Sequence, residues 1–248
     1  MLKVSNPVPC RLCPLGTCPE LRPHSEDEIP HIQRFKIGEV RVERSEVVIE
    51  QDVTRGGLYT VLEGMMMRYR TLADGRRQIV NFMFPGDLVG LQAAFGEVAT
   101  HSVEALRSSR LCVFDYQRYF EIVTAQPRLA YDITWLAAKE ETALEEHLVA
   151  LGQRSARERV AYLAVWLLQR ARGTCLVDDH NRLEVTITQS QIADMLGLSL
   201  VHTNRTIKGL ERSGEVVWRQ NSITVPDLAA AAELAHYHSS QQRPRPYL

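Results

Sequence analysis

The sequence predicts an α+β chain: an N-terminal β-roll, a long helix, and a C-terminal winged helix-turn-helix. Three observations predict it. Short strand-like runs punctuated by glycine fill the stretch from about His31 to Phe114. A helical pattern follows from about Pro127 to Gln153. The segment TITQSQIADMLGLSLVHTNRTIKGLERSG, residues 186–214, carries the start, turn and stop signals of two short helices. At 248 residues the chain is long enough for two cores. The expected division is an irregular Cys-rich arm (1–28), the roll (29–124), a dimerisation helix (125–154), the helix-turn-helix domain (155–238) and a disordered tail (239–248).

In the roll, Gly38, Gly56-Gly57, Gly64, Asp74-Gly75 and Pro85-Gly86-Asp87 mark turns. Met66, Arg68 and Arg70 alternate with Met67, Tyr69 and Thr71, and Asp74-Gly75 is a strong hairpin signal before the apolar run Ile79–Phe84. On the long helix, Ile133, Ala137, Leu144, Leu148 and Leu151 mark a seam close to 3.5 residues in period, with Glu140 and Glu141 in its gap. Such a helix is too long and one-sided to lie alone on a surface. The seam, with Glu141, is read as a symmetric dimer interface. Gly152 and Ser155 break the pattern before a second helix, Ala156–Arg172, whose apolar face is Val160, Leu163, Ala164 and Leu167.

In the next motif Thr188 is a good N-cap, Gln191 completes a capping box, and Ile187 with Ile192 forms a hydrophobic staple. Gly197 supplies the left-handed turn, and Ser199 caps the second helix. On that helix Thr203, Ile207 and Leu210 follow one face; Val201, Asn204, Arg205, Lys208 and Arg212 follow another. A helix-turn-helix places such a face in the major groove of DNA. Arg205 has the fork to read a guanine, Asn204 the amide to read adenine, and Val201 the methyls to touch thymine. Lys208 and Arg212 suit phosphates. Thr188, Ser199 and His202 complete the expected interface. Glu215–Trp218 and Ser222–Val225 read as a two-stranded wing.

The net charge of −1 hides an asymmetry: from Ser155 onward eleven Lys and Arg face nine Asp and Glu, near +2, which leaves the rest near −3. That bias is weak, so specific contacts must carry much of any DNA affinity. The start, MLKVSNPVPC, lacks the apolar core of a signal peptide, and no run of 18 apolar residues occurs. A cytoplasmic location is expected, with reduced cysteines. No Gly-x-Ser-x-Gly, P-loop, His-Glu-x-x-His or dinucleotide fingerprint is present, so the chain does not read as an enzyme.

Roll, long helix and winged helix-turn-helix, in that order, resemble the Crp/Fnr superfamily of bacterial transcription regulators over roughly residues 30–226. The pieces that carry the resemblance are Tyr59–Gly64, Pro85-Gly86-Asp87-Leu88-Val89-Gly90, Arg157-Glu158-Arg159-Val160, and the motif with Arg205. The resemblance implies a homodimer on two-fold symmetric promoter DNA, RNA polymerase as a further partner, control of anaerobic or microaerobic genes by activation or repression, and Arg205 as the guanine reader. Many members of the FNR branch carry Glu where this chain has Val201 and Ser where it has Asn204. Valine cannot accept a hydrogen bond from cytosine, so a different half-site is expected.

Two signals are weighed. Cyclic-nucleotide members place a Glu and an Arg where this chain has Leu91 and His101. Leucine cannot bond a ribose and histidine is mostly neutral at pH 7, so cyclic-nucleotide sensing is not expected. His101 itself reads as a surface or loop residue. At the other end, Cys10-x2-Cys13-x4-Cys18 on the arm and Cys112 at the end of the roll make four thiols, a set that holds iron–sulfur clusters or zinc. This set resembles the FNR branch, where three N-terminal cysteines and one central cysteine bind an oxygen-sensitive [4Fe–4S] cluster, although the second spacing is shorter here. Zinc, a thiol–disulfide switch, or no cofactor at all are the alternatives. Cys175 has no partner in sequence and reads as incidental.

Overall fold

The computed structural model describes residues 3–5, 8–54, 56–174, 176–178, 180–238 and 243–248. Cys175 lies outside them. The arm contributes β1 (Val4–Ser5) and two short 3-10 turns, Cys10–Leu12 and Pro14–Thr17. Where strand was expected from His31, the chain first forms α1 (Glu28–Phe35), which buries Ile32 and Phe35. An i, i+3 apolar pair fits a helix and not a strand.

The roll then runs through β2 (Lys36–Val42), β3 (Val47–Ile49), β4 (Leu58–Glu63), β5 (Met66–Thr71), β6 (Arg77–Met83), β7 (Leu88–Val89), β8 (Ser102–Ala105) and β9 (Ser109–Phe114). Two antiparallel sheets result, in the orders β1-β2-β9-β4-β7 and β3-β8-β5-β6. Their facing side chains, among them Val40, Val61, Met66, Val103 and Leu111, form the inner core. The expected hairpin joins β5 to β6, with Gly75 at φ +85° in its turn. Gly64 sits at φ +92° in the link between β4 and β5, and a Cβ there would lie 2.1 Å from Ser109 Oγ, so both backbone angle and space demand glycine.

After α2 (Tyr119–Ala125), the long helix α3 spans Pro127–Gln153, the bounds read from the sequence. Its proline sits at the first turn, where the missing N–H costs nothing. Then α4 (Ala156–Arg172) begins with Ser155 as N-cap and Glu158 as its reciprocal partner. One apolar face was expected for α4; all of Val160–Leu168 is buried. Partners close on it from several sides: Phe82 and Phe84 of the roll, and Ile192 and Ile207 of the helix-turn-helix, belong to the same core. That domain comprises β10 (Arg182–Glu184), α5 (Gln189–Leu196), α6 (Leu200–Arg212), β11 (Val217–Arg219), β12 (Ser222–Thr224) and α7 (Leu228–Leu234). The wing is a three-stranded sheet, order β10-β12-β11; its third strand comes from upstream of the motif.

Polar contacts fix the helix-turn-helix domain against the hairpin. Arg77 pairs with Asp194 at 2.8 Å, and Gln78 Nε2 donates to Met195 O at 3.1 Å.

The expectation of a disordered tail fails for residues 243–248. Arg245 bridges Leu21 in parallel, its N–H donating to Glu20 O at 2.7 Å and its carbonyl accepting from Arg22 N–H at 2.8 Å. Tyr247 and Leu248 are buried beside Leu15 and Leu21. The composition after His238 looked polar, but one aromatic, one leucine and a buried arginine at its end give it a seat.

Candidate DNA-binding face and thiol site

The helix-turn-helix is assembled by the caps. Thr188 Oγ1 accepts from Gln191 N–H at 3.2 Å, and Gln191 Oε1 accepts from Thr188 N–H at 2.8 Å. Gly197, at φ +61°, turns the chain, and Ser199 Oγ then accepts from His202 N–H at 3.2 Å. Thr188 and Ser199 thus serve their own helices, satisfying amides that would otherwise be orphaned. Ile187 and Ile192 are buried together as the staple required. Thr203, Ile207 and Leu210 face inward.

Val201 (80% exposed), Arg205, Lys208 and Arg212 point to solvent on the other face, and His202 is half-buried. Arg212 Nε donates to Lys208 O at 3.2 Å. Asn204 is half-buried, and its Nδ2 donates to Gln189 Oε1 at 2.8 Å. Two residues near this face escaped the sequence reading. Leu200 is 54% exposed at the start of α6. Gln189 is held by the α5 N-terminus against Asn204, and only the three-dimensional pairing reveals it.

The basic motif Arg157–Arg159 has a local purpose. Arg159 Nη1 donates to Leu196 O, capping the end of α5, and Arg157 binds Ser213 and Glu215 after α6. It orients the recognition unit on α4.

At the other end, Cys10, Cys13, Cys18 and Cys112 belong to one apolar cluster with Leu15, Phe35, Tyr247 and Leu248. Cys112 lies on β9, the strand between β2 and β4. The arm is tied down by Cys10 N–H donating to Gln33 Oε1 at 2.7 Å and by Lys36 Nζ donating to Val8 O at 2.8 Å. Burial pushes the Cys10 thiol up to about 11, against the pull of Lys36. It raises Cys13 and Cys112 as well, Lys36 again opposing. Cys10, Cys13 and Cys112 sense one another electrostatically. Among the described residues, no three His, Cys, Asp or Glu side chains form a ready-made metal-binding group. The donor set is soft and complete in number, whereas the closed geometry of a single-ion site is not assembled.

A cavity of about 490 Å³ lies between the roll and α3, walled by Arg68, Leu91, His101, Glu140, Leu144 and Arg245. His101 is buried here, contrary to the surface position expected, and burial followed by Arg68 and Arg70 pushes its pKa down to about 4. Arg68 pairs with Glu140, which Asn81 also binds at 2.9 Å. Glu140 therefore faces its own roll. Arg245 pairs with Asp87 at 2.6 Å, and Arg170 of α4 pairs with the same carboxylate at 2.7 Å. Burial alone would raise Asp87; Arg170, Arg245 and the Phe84 amide overcome it and hold the group below the usual carboxylate range.

The expected seam on α3 divides. Ile133 is buried within its own chain beside Leu129 and so is not an interface residue of the free surface. Ala137, Glu141 and Leu148 are exposed, Leu148 by 70%, while Leu144 and Leu151 are half-buried. The physical reason is α2 and the roll, which take the first turns of the helix.

Comparison with known proteins agrees with this architecture. A family model described as the cyclic nucleotide-binding domain matches residues 39–126, and one described as the Crp-like helix-turn-helix domain matches residues 158–234. The nitrogen fixation regulation protein FixK of Bradyrhizobium diazoefficiens is 33% identical over 230 residues, covering 91% of this chain and 92% of that one. The transcriptional activator protein FnrL of Cereibacter sphaeroides is 26% identical, covering 71% of this chain and 71% of its own. Among solved structures, FixK2 from Bradyrhizobium japonicum superposes with a TM-score of 0.70 at 24% identity, covering 82% of this chain and 98% of that one.

Proposed function

Because the chain belongs to the Crp/Fnr family of transcription regulators, we propose that it binds two-fold symmetric promoter DNA as a homodimer through α6 and senses oxygen or redox state through Cys10, Cys13, Cys18 and Cys112. Its targets are then promoters of anaerobic or microaerobic genes, as the names of its relatives suggest: a nitrogen fixation regulator in one case, an anaerobic regulatory protein of Pasteurella multocida in another.

The observation that carries the sensing half is the seat of the arm. Three arm cysteines and one strand cysteine, 94 residues apart at the nearest (Cys18 to Cys112), lie in the same apolar cluster. These four residues would hold a [4Fe–4S] cluster, which supplies oxygen-sensitive redox chemistry when bound. The likeness to regulators named for anaerobic control supports the cluster over zinc.

The chain also contains a mechanical route from the arm to α6. Leu21 pairs with Arg245, Arg245 with Asp87, Asp87 with Arg170 on α4, and α4 shares its core with α6. A shift of the arm as the cysteines are engaged or released would alter the seat of residues 243–248 and so the load on α4. On α3, Ala137, Glu141 and Leu148 offer an exposed stripe for a second copy.

The test is anaerobic purification followed by absorption spectroscopy, iron, sulfide and zinc analysis, and gel shifts with promoter DNA before and after air. About four irons per chain, lost in Cys112→Ser, with DNA binding that weakens in air, is the expected result. A colourless protein carrying zinc overturns the cluster.

A further inference from the structure

Cys112 stands in a row of side chains that crosses one face of its sheet. In the β2–β9 pairing it is opposite Glu39, and in the β4–β9 pairing it is opposite Thr60. Residues opposed in register project from the same side of a sheet. Burial agrees with this. Leu58, Leu62, Cys112 and Phe114 belong to the apolar cluster that holds the arm cysteines, whereas Val61, Leu111 and Val113 belong to the inner core of the roll. Thr60, alternating with Leu58 and Leu62, therefore flanks Cys112 on the thiol side.

Its hydroxyl is out of place there. Thr60 is fully buried, and its Oγ1 has no hydrogen-bond partner among the described residues. A buried hydroxyl without a partner costs stability, and valine would fill the same strand position without that cost. Opposed residues carry Cβ atoms about 4.5–5.5 Å apart, so a hydroxyl and a sulfur turned towards each other by a change of rotamer come within hydrogen-bond reach.

The charges on the other flank of Cys112 also suit an anion. Lys36, its side chain 4% exposed, donates from Nζ to Val8 O and to Glu39 Oε1 at 2.8 Å each, which leaves it a third N–H. Arg110 pairs with the same Glu39 carboxylate at 2.9 Å. The second partner of Arg110, Glu63, is 54% exposed and screened by water. Two cations thus meet one buried anion beside Cys112. A neutral thiol gains nothing from that surplus, whereas a metal-bound thiolate does.

We infer that Thr60 is a positioning residue of the thiol site: its hydroxyl donates to the sulfur of Cys112 when that sulfur is a metal-bound thiolate, and so secures the one ligand supplied by the roll. The inference rests on the proposed reading of the four cysteines as ligands. A thiol is a weak acceptor and a thiolate a strong one, so ligation is the event that satisfies the orphaned donor. Outer partners of this kind orient a ligand and hold it on its metal.

The experiment compares full-length wild type, Thr60→Val and Thr60→Ser, metal-free and after anaerobic reconstitution with ferrous iron and sulfide. Iron retention is read against a chelator under anaerobic conditions. Thr60→Val should retain iron about 10- to 100-fold less well than wild type, the range for a lost outer-shell partner. Thr60→Ser keeps the hydroxyl and should recover most of that loss. Urea unfolding of the metal-free proteins should give the reverse order. Thr60→Val sheds an unsatisfied buried group and should be at least as stable as wild type, while Thr60→Ser deletes a buried methyl and should be less stable. Resonance Raman spectra of the loaded wild type should show an iron–cysteine stretch that shifts in D2O, and Thr60→Val should lose that shift. Equal iron retention in wild type and Thr60→Val overturns the inference. So does a metal-free Thr60→Val less stable than Thr60→Ser, which would give the hydroxyl a structural role. Failure of the underlying reading gives a different result: the wild type itself would then take up no iron and sulfide, and the role of Thr60 would fall with it.

Discussion

His147 provides a measurable consequence of the way α3, α4 and the roll meet. Its ring is buried, with Nδ1 2.8 Å from Tyr162 Oη and Nε2 3.2 Å from Asn81 Oδ1. Asn81 Oδ1 also accepts from Phe82 N–H, so it must accept again from His147, which makes Nε2 the protonated nitrogen and leaves Nδ1 to accept from Tyr162. The neutral ring is satisfied on both sides. A second proton, on Nδ1, would oblige the Tyr162 hydroxyl to turn from donor to acceptor and would lie near Arg68 and Arg154. Burial, then those two cations, push its pKa down to about 3. Glu140 and Glu146, which pair with those arginines, also sit near this junction. The unfolded chain takes up that proton near pH 6.5. Since the folded state binds fewer protons in the interval between, stability is complete above pH 6.5 and falls as the pH drops from there towards 3. One pH unit below the unfolded value, at pH 5.5, the loss from His147 is about 1.4 kcal/mol. His24 and His101, each pushed down to about 4 chiefly by burial, act with the same sign. The assay is urea unfolding at pH 8.0 and 5.5 for the wild type and His147→Gln. The variant loses the titration but not the site's polarity, and its pH-dependent loss should be smaller by about 1.4 kcal/mol. Should the two proteins lose equal stability, or should NMR of the wild type find this imidazole titrating near 6.5, the reasoning about the buried junction is wrong.

Three further outcomes follow from the same structure. Arg205→Ala should cost about 1–3 kcal/mol on a matched half-site and relax one guanine, while Lys208→Ala should weaken all sequences alike and lower the salt slope by about one, as titration with increasing salt will report. Leu148→Glu, at a position 70% exposed, should prevent dimerisation in sedimentation velocity with little change in chain stability, whereas Ile133→Ala should leave assembly intact but destabilise the fold by about 2–5 kcal/mol on denaturant titration. Arg245→Ala breaks a buried ion pair but leaves Arg170 on Asp87, so the loss should be about 3 kcal/mol; together with Tyr247→Ala it should also speed alkylation of Cys10, Cys13 and Cys18 in the metal-free protein, which mass spectrometry can count.

What the sequence reveals and what it hides follow from the range of the interactions involved. The helix-turn-helix was legible residue by residue because its signals are local: Thr188, Gln191, Gly197 and Ser199 act within three or four positions of themselves. The hairpin at Asp74-Gly75 and the bounds of α3 are legible for the same reason. The features that were misread are set by distant partners. His101 looked exposed because its immediate neighbours, Thr100 and Ser102, are polar; the cavity wall between roll and α3 buries it. Ile133 fits a heptad, yet Leu129 and the roll claim its face first. Glu140 is a surface charge by composition and an internal one by virtue of Arg68, 72 residues away.

The tail shows the same limit at its strongest, and it bears on function. Arg243–Leu248 has the polar, proline-interrupted look of a segment that cannot bury enough apolar surface to order itself. It is ordered because it does not fold alone: Tyr247 packs its ring 4.2 Å from that of His24, and Arg245 finds a carboxylate that Arg170 has already drawn inward. Its stability is therefore conditional on the arm. Any rearrangement of residues 10–24 that moves His24 or Leu21 removes the partners of Tyr247 and Arg245 together, and Asp87 is left with Arg170 alone. On the proposed reading, a chemical event at the arm cysteines would reach α4 through a segment whose order depends on both ends, an arrangement in which a small change at the thiols would shift a population instead of straining a rigid body.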